Sequence, residues 1–464
     1  MKFLFLLFAT SLCYADSISF PSDFEFGVSN AAVQVEENSQ EIWNMFFNSG
    51  GGVAYKNTPL PENKINFWSH PEIDIKLAKE LGVKVFRLSL DWQRVSPTPH
   101  TIDQNALNHY LEILKLIKKN NMKVMLTLMH HSEPIWLYKK NGWVSKTSSQ
   151  DFIKYAKASF DILNPYVDYW LTFNEPNVYM LFTRVAGIWP TPDSSILNIL
   201  NFDFYKGDFF IGLDHMAKAH NLFYAYVKKN DPSKKVGIAQ NTANYKSVDI
   251  IGEYASSWAW KNMNFYFSDL VNVDFMGINY YGSEYLSWKG LVYSEETEYN
   301  DAGRAIDPQG MLLMLREFYK RYKKPIYITE NGTADELDLL RPVYLVEHLK
   351  NLKKALNEKI PVLGYIQWTL TDNLEWSDGY CPKFGLVAVE RDNDFKRRPR
   401  ESYYIFQRIV QSHQISDDLV KMVWKKYNGA ASRAETQRPM CRAEDAVTAL
   451  ETPRYQKLRY IDWQ

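Results

Sequence analysis

Residues 105–130 read NALNHYLEILKLIKKNNMKVMLTLMH, and this stretch decides the fold because it joins an amphipathic helix to a buried strand. In Asn105–Lys119, apolar residues recur at intervals of three and four and mark one helical face: Leu107, Tyr110, Leu111, Leu114 and Ile117. Lys123–His130 is a nearly continuous apolar run, which is typical of a parallel strand covered by helices. The stretch therefore predicts one helix–strand unit of an α/β protein.

The same unit recurs along the chain. The predicted strands are Phe24–Ser29, Val83–Leu90, Lys123–His130, Asp168–Asn174, Lys235–Gln240, Asp274–Tyr281, Pro325–Glu330 and Val362–Leu370. Helices lie between them, and one that begins at Pro342 carries an apolar stripe of Val346, Leu349, Leu352 and Leu356. Strands that alternate with helices in this number favour a closed barrel over an open sheet. We therefore predict a single (β/α)8 TIM barrel over residues 16–412 and a C-terminal extension over residues 413–464.

Polar residues lie at or near the C-terminal ends of seven predicted strands. They are Gln34, Arg87, His130, Asn174 with Glu175, Asn279 with Tyr281, Glu330 and Trp368. A structural hydrogen bond explains a single such residue, but packing does not explain polar residues at the ends of seven strands. In this fold these strand ends converge on one mouth, where the active site is built.

Two glutamates stand out among these residues. Glu175 occurs in Thr172-Phe173-Asn174-Glu175-Pro176, and Glu330 occurs in Ile328-Thr329-Glu330-Asn331-Gly332. They end the fourth and seventh predicted strands, on opposite sides of the mouth. Glycoside hydrolysis requires two carboxyl groups that flank the scissile bond. The pair therefore predicts a glycosidase.

Composition is compatible with this interpretation and excludes other classes. The chain has 464 residues with 54 Lys+Arg against 54 Asp+Glu, so its global charge does not favour a nucleic-acid partner. Its 14 Trp and 30 Tyr suit a sugar-binding cleft, where C–H groups stack on aromatic rings. A dense His/Asp cluster and a Gly-x-Gly-x-x-Gly motif after a strand are both missing from the sequence, so we expect neither a metal nor another cofactor.

The first fifteen residues predict a secretory signal peptide. Lys2 precedes the apolar run Phe3–Leu12, and Cys13-Tyr14-Ala15 resembles a cleavage site. We therefore expect an exported protein, with an uncleaved N-terminal membrane anchor as the alternative. Cys381 and Cys441 remain after cleavage, and the sequence leaves their pairing open.

The motifs closely resemble those of glycoside hydrolase family 1 from Phe24 to about Val410. Besides the two glutamate motifs, the matching segments are Phe26-Gly27 with Gln34 and Glu36, Phe86-Arg87-Leu88-Ser89 with Trp92 and Arg94, Leu126-Thr127-Leu128 with His130 and Pro134, Asn279-Tyr280-Tyr281, and Trp368 through Asp372-Asn373-Leu374-Glu375-Trp376. The resemblance implies a retaining β-glycosidase of carbohydrate metabolism that hydrolyses β-glucosides or β-galactosides through a covalent glycosyl-enzyme.

The resemblance also implies a role for each site residue. Glu175 is the expected acid/base, whose pKa must be raised, and Glu330 is the expected nucleophile. Arg87 and Tyr281 are expected to hold Glu330 ionised. The remaining expected sugar-binding residues are Gln34, His130, Asn174, Asn279, Trp368, Glu375 and Trp376.

Other residues are similar to a plant branch of the family, the sensitive-to-freezing galactolipid galactosyltransferases. His130-His131-Ser132 has a second histidine where the hydrolases usually carry an aromatic residue, and Arg438-Pro439 and Tyr460–Trp463 also follow the plant pattern. This branch implies transglycosylation onto a galactolipid as the alternative to hydrolysis. The tail, in turn, is expected either to pack on the barrel or to contact a membrane surface. The sequence leaves the oligomeric state open.

Overall fold

The computed structural model describes residues 18–52, 64–191 and 207–459, and its centre is a closed barrel of eight parallel strands. The predicted signal peptide and the tail motif Tyr460–Trp463 lie outside the described residues. The barrel strands, in order, are Glu25–Ser29, Val85–Ser89, Lys123–His130, Tyr169–Asn174, Lys235–Ser247, Phe275–Ser287, Ile326–Asn331 and Val362–Gln367. Each strand pairs with its neighbour in the chain, and the last pairs with the first, so the TIM barrel prediction is confirmed.

Two barrel strands extend beyond their predicted ends. The fifth and sixth strands, predicted to end at Gln240 and Tyr281, continue to Ser247 and Ser287. Past a register shift they still pair, from Asn244 opposite Ser283 to Ser247 opposite Leu286. Helix Ile250–Lys261 packs on this paired arm, since a Cβ at Gly252 would lie 2.1 Å from the Leu286 carbonyl oxygen.

Helices surround the barrel, and their ends follow local capping rules. The helix predicted over Asn105–Lys119 spans Gln104–Lys119, because the Asp103 side chain accepts hydrogen bonds from the first backbone N–H groups. The other principal helices are Ile42–Asn48, Pro71–Leu81, Ser148–Leu163, Asp208–Asn230, Ile250–Lys261, Pro308–Tyr322, Leu340–Asn357, Glu401–Ser412 and Asp417–Ala431. Shorter helices are Ala32–Val35, Trp92–Val95, Ile135–Tyr138, Pro176–Met180 and Phe267–Asp269.

Side chains fill the inside of the barrel below the mouth. This layer consists of Val85, Met125, Leu171, Ala239, Phe275, Tyr327 and Ile366, all fully or almost fully buried. The first strand contributes Gly27, where a Cβ would lie 2.3 Å from the Ile366 Cδ1 atom and 2.7 Å from the Val85 carbonyl oxygen. Glycine is required there because the barrel interior has no room for a side chain. The layer closes the barrel floor and leaves the mouth for polar residues.

The C-terminal tail packs on the barrel. Helix Asp417–Ala431 follows an N-cap at Ser416, and strands Gln437–Arg442 and Ala449–Lys457 form an antiparallel hairpin. Cys441 of this hairpin is disulfide-bonded to Cys381, which settles the pairing that the sequence left open. Over the described residues, no helix is long and apolar enough to span a membrane.

Candidate active site

The two predicted catalytic glutamates lie at the ends of different barrel strands. Glu175 directly follows the fourth strand and adopts a left-handed backbone conformation, with φ of 45°, before helix Pro176–Met180. Glu330 is the penultimate residue of the seventh strand, Ile326–Asn331. Both side chains are buried and line the same pocket at the barrel mouth.

The structure brings most of the predicted site residues to this pocket. Those that line it are His130, Asn174, Glu175, Tyr281, Glu330, Trp368, Glu375 and Trp376. The other three, Gln34, Arg87 and Asn279, lie behind the lining and hydrogen-bond to Glu375, Glu330 and Glu175 respectively. The mouth is therefore built in two layers, with the second layer orienting carboxylates of the first.

Glu330 is held by a cation and a phenol. The Arg87 guanidinium donates from Nη1 to Oε1 at 2.5 Å, and the Tyr281 hydroxyl donates to Oε2 at 2.6 Å. Burial nevertheless raises the pKa of Glu330 to about 7, because desolvation outweighs the attraction of Arg87 and the charge of Glu175 adds to the rise. The predicted contacts are present, but they do not restore an ordinary carboxyl pKa.

Glu175 is held by two side-chain amides and a histidine ring. The amides of Asn241 and Asn279 donate to Oε1 at 2.9 and 3.0 Å, and the His131 Nε2 atom lies 3.3 Å from Oε2. Burial raises the pKa of Glu175, but the hydrogen bond and the charge interaction with His131, together with the hydrogen bonds from Asn241 and Asn279, outweigh it and lower the pKa below its usual value. The expectation of a raised acid/base pKa is therefore wrong for this arrangement of donors.

Asn174 hydrogen-bonds to one residue that contacts Glu330 and to one that contacts Glu175. Its Oδ1 atom accepts from Arg87 Nη2 at 2.6 Å and from Asn279 Nδ2 at 3.0 Å. Its Nδ2 atom lies 2.9 Å from His130 Nε2, which fixes the orientation of the amide. Arg87 thus contacts the Glu330 carboxylate and Asn174 at once, and a displacement of this guanidinium would disturb both sides of the site.

His130 and His131 are uncharged parts of the pocket wall. Burial lowers the pKa of His130 well below its usual range, with His131 and Arg87 adding to the effect, and burial also lowers the pKa of His131 although Glu175 opposes it. The His130 ring lies 5.6 Å from the Trp368 ring and 5.7 Å from the Trp376 ring. In the part of the chain that the structure describes, the Nδ1 atoms of both histidines lack a hydrogen-bond partner.

A third carboxyl group lies across the pocket. Glu375 precedes the short turn Trp376–Asp378 and accepts a hydrogen bond from Gln34 Nε2 at 3.3 Å. Burial raises the pKa of Glu375 to about 8, Asp378 adds to the rise and Arg442 opposes it. This wall can present both a hydrogen-bond donor and an acceptor to a hydroxyl group.

A sequence profile of glycosyl hydrolase family 1 matches residues 16–271 and 249–415, which include the barrel strands and both glutamates. The chain belongs to this family. It is accordingly an enzyme that acts on O-glycosyl bonds.

Relatives within family 1 include both transferase and glycosidase names. The chain is 38% identical over 430 residues to the galactolipid galactosyltransferase SFR2, chloroplastic, of Arabidopsis thaliana. The alignment covers 89% of this chain and 69% of that protein. The chain is also 38% identical over 407 residues to the beta-glucosidase-like SFR2, chloroplastic, of Oryza sativa subsp. japonica, covering 85% of this chain and 63% of that protein. The chain therefore spans about two thirds of the length of these plant relatives.

A solved family 1 structure shows the same architecture. The beta-glycosidase from Pyrococcus horikoshii superposes with a TM-score of 0.78 at 28% sequence identity, covering 88% of this chain and 98% of that chain. The family match ends at residue 415, so the final helix and the hairpin lie beyond it.

Sequence reasoning missed several residues that line the pocket of this family 1 enzyme. Asn241 is one residue beyond the predicted end of the fifth strand, so an extension of the strand-end argument would have found it. Arg304 and Trp189 lie in loops, and Asp378 and Arg442 are joined only by the tertiary fold. For these four the sequence carries no local signal.

Three pocket residues adopt the left-handed backbone conformation that L residues rarely occupy. They are His131, Glu175 and Trp376, with φ of 55°, 45° and 44°. Such residues cost about 1–3 kcal/mol each and cluster at functional sites, where the surrounding structure imposes them. The peptide bond between Trp368, which lines the pocket, and Thr369 is cis.

Proposed function

We propose that this enzyme is a retaining β-glycosidase in which Glu330 is the nucleophile and Glu175 is the acid/base. The observation that supports this most directly is the pair of buried carboxyl groups in one pocket, each with its own set of hydrogen-bond donors. Arg87 and Tyr281 direct Glu330 towards the pocket, whereas Asn241 and Asn279 direct Glu175.

In the first step the Glu330 carboxylate attacks the anomeric carbon and forms a C–O ester bond. The bond between that carbon and the leaving oxygen breaks, and the Glu175 proton passes to the leaving oxygen. The productive form therefore has its single proton on Glu175. The donors around Glu175 make this form the less populated one, because they favour its carboxylate.

In the second step Glu175 takes a proton from water while the water oxygen attacks the anomeric carbon. The ester bond to Glu330 breaks and Glu330 leaves as a carboxylate. Each step inverts the anomeric centre once, so the product keeps the β configuration. Esterification removes the negative charge of Glu330, which otherwise raises the proton affinity of nearby groups, so Glu175 is more readily ionised and can act as the base in the second step.

β-Glucosides and β-galactosides are the proposed substrates. Trp368 and Trp376 supply flat apolar surfaces on which sugar C–H groups can stack. The His130 ring and the Glu375 carboxyl group line the same pocket and supply sites for hydroxyl groups. Asn174 is proposed to contact the 2-hydroxyl, and Gln34 to orient Glu375.

Azide rescue of two variants tests the assignment of the glutamates. Glu330→Gly should lose activity and, with azide and an activated aryl β-glycoside, form an α-glycosyl azide by a single inversion. Glu175→Gly should instead form the β-glycosyl azide, since its nucleophile is intact. Proton NMR of the azide product reads the anomer, and the opposite pair of products would reverse the two roles.

Transfer of galactose to a second galactolipid is the other candidate function. It is favoured by one local observation: His131 lies 3.3 Å from Glu175 and packs edge-on to Trp376 and Trp189. The His131 ring lines the pocket beside Glu175, so the hydroxyl of an incoming sugar that Glu175 must deprotonate would be held next to this ring. The same covalent intermediate then forms a galactosyl–galactose bond in place of free galactose.

Product analysis with monogalactolipid vesicles separates the two functions. Digalactolipid that rises with acceptor concentration supports transfer, and a decrease of its share in His131→Trp would assign the effect to His131. Free galactose alone from both proteins leaves hydrolysis as the function.

We propose that the protein is exported or otherwise targeted by residues 1–15, and that it works in an oxidising compartment. The Cys381–Cys441 disulfide supports the second part, because such bonds persist mainly outside reducing compartments. Contact of the tail with a membrane surface is a further part of this proposal. Secretion of the expressed chain and its N-terminal sequence after export would test it.

A further inference from the structure

The C-terminal hairpin reaches the active-site pocket although it lies beyond the family match. Arg442, the last residue of strand Gln437–Arg442, lines the pocket together with Glu375 and Asp378. The family profile ends at residue 415. A part of the pocket wall is therefore supplied by a segment that the family pattern does not include.

Arg442 contacts the turn that carries two of the pocket residues. Its Nε and Nη2 atoms donate to Asp378 Oδ2 at 3.0 and 2.8 Å, and the Asp378 side chain is 4% exposed. Within the turn, the Asp378 N–H donates to the Glu375 carbonyl at 2.8 Å, and the Glu375 N–H donates to the Gly379 carbonyl at 2.7 Å. The position of Glu375 thus depends on a turn that Arg442 holds from the side.

The hairpin itself is fixed at several points next to Arg442. Cys441 is disulfide-bonded to Cys381, and its N–H donates to the Asp301 carbonyl at 2.8 Å. Arg438 is almost fully buried and forms ion pairs with Glu298 and Asp301 at 2.6 and 2.9 Å. Arg442 is therefore held in place on the pocket wall and does not behave as a mobile surface side chain.

We propose that the hairpin is a structural part of the sugar-binding wall and that Arg442 is a specificity-determining residue. Its ligand class is the unsubstituted neutral hexose, read at hydroxyls 4 and 6, which lie farthest from the anomeric carbon. The proposal rests on the proposed glycosidase function, since that function places the anomeric carbon between Glu175 and Glu330.

The charges of the wall fit a neutral polyhydroxyl ligand. Both guanidinium groups that line the pocket have a carboxylate partner: Arg442 pairs with Asp378, and Arg304 pairs with Glu284. Two paired cations leave little net charge to attract a phosphate or sulfate. They do offer donors and acceptors side by side, which is what a hydroxyl group requires.

The test compares Arg442→Gln with Lys457→Gln on three aryl β-glycosides: the galactoside, its 4-deoxy analogue and its 6-deoxy analogue. Lys457 is an exposed residue at the end of the same hairpin, so its variant removes an equal charge away from the pocket. For Arg442→Gln we expect kcat/KM on the galactoside to fall about tenfold or more, as for the loss of a hydrogen-bond network to a charged group. The loss should become clearly smaller on at least one deoxy analogue, and Lys457→Gln should match the wild type on all three.

Two further measurements keep this test interpretable. Arg442→Lys retains the charge and should recover part of the lost kcat/KM, and thermal unfolding of each variant shows whether the fold is intact. An equal loss on all three substrates in a stably folded Arg442→Gln, or no loss at all, would overturn the inference while the wild-type activity leaves the proposed function standing. If the wild type prefers the aryl β-glucoside, the same comparison uses the glucoside and its 4-deoxy and 6-deoxy analogues; a wild type that hydrolyses neither series would instead overturn the proposed function.

Discussion

The two glutamates of the pocket are held by chemically different surroundings. Glu330 contacts a permanent cation, Arg87, and the hydroxyl of Tyr281. Glu175 contacts the side-chain amides of Asn241 and Asn279 and the ring of His131. Both carboxyl groups are buried, so burial alone cannot explain why the pKa of Glu330 is raised while that of Glu175 is lowered.

The difference shows that several donors together, including the charge interaction with His131, outweigh the burial of Glu175, whereas Arg87 and Tyr281 do not outweigh the burial of Glu330. Glu175 accepts three hydrogen bonds of 2.9 to 3.3 Å that favour its carboxylate, and the charge of Glu175 in turn raises the pKa of Glu330. Arg87 therefore orients one oxygen of the nucleophile, whereas the amides control the proton affinity of the acid/base. Four experiments test this comparison, in order of decreasing effect.

Removal of the nucleophile should have the largest effect. In Glu330→Gln no carboxylate remains to attack the anomeric carbon, so we expect kcat to fall about a thousandfold or more, as for other essential nucleophiles. The thermal unfolding midpoint should stay near that of the wild type, because the amide keeps the shape of the side chain. A variant that keeps more than about a tenth of the turnover would contradict the role of Glu330.

Replacement of the cation should come next. Arg87→Gln removes the charge that opposes the effect of burial, so the pKa of Glu330 should rise above about 7. Because Glu330 has the higher pKa of the two glutamates, its ionisation sets the alkaline limb of kcat/KM, which should therefore move to higher pH, with a maximal rate about a hundredfold lower. Arg87→Lys serves as the control that keeps the charge, and an unmoved alkaline limb in Arg87→Gln would refute the electrostatic part of the comparison.

The sugar-binding side chains should have a smaller effect. Gln34→Ala and Glu375→Ala each break the hydrogen bond between these two residues, and kcat/KM on aryl β-glycosides should fall about tenfold with little change in stability. Initial rates and thermal unfolding of both variants check this expectation. Wild-type activity in either variant would remove that residue from the binding site.

Removal of single hydrogen-bond donors of Glu175 should have the smallest effect, which is a shift in the pH dependence of kcat/KM. His131→Phe and Asn241→Ala each remove one hydrogen bond that favours the Glu175 carboxylate, so the pKa of Glu175 should rise. Because Glu175 has the lower pKa of the pair, its ionisation sets the acidic limb of kcat/KM, and this limb should move to higher pH in both variants. His100 lies exposed in a loop, and His100→Phe should leave the profile unchanged. A shift to lower pH in the two test variants would show that these groups do not stabilise the carboxylate.

Much of the barrel could be predicted because each strand is a local pattern. The third strand, Lys123–His130, matches its prediction at both ends, since its apolar run begins after a helix and ends at a polar residue. The arm formed by the fifth and sixth strands could not be predicted, because it lies beyond the buried apolar runs: its fifth-strand residues are half-buried or exposed, and its sixth-strand residues alternate in burial. The C-terminal hairpin escaped for a related reason: strand Ala449–Lys457 is mostly exposed and lacks a buried run.

The site residues also fall into those that the sequence could predict and those that it could not. Residues at strand ends, such as His130 and Glu330, were predictable because the fold fixes where strand ends meet. The proton affinity of Glu175 was not, because it depends on Asn241 and His131, which approach from other strands. Arg442 is the extreme case, since only the path of the tail brings it to Asp378.

The disulfide between Cys381 and Cys441 turns the last part of the chain into a tethered clamp. The two cysteines are 60 residues apart, so a protease that cuts once between them leaves two pieces that come apart in denaturant only after reduction. If the hairpin opens locally, its return to the turn at Glu375 is an intramolecular event, set by the length of the tether and independent of protein concentration. Under conditions in which the barrel stays folded, the pocket wall next to Glu375 can therefore open, but the hairpin cannot diffuse away from the rest of the molecule.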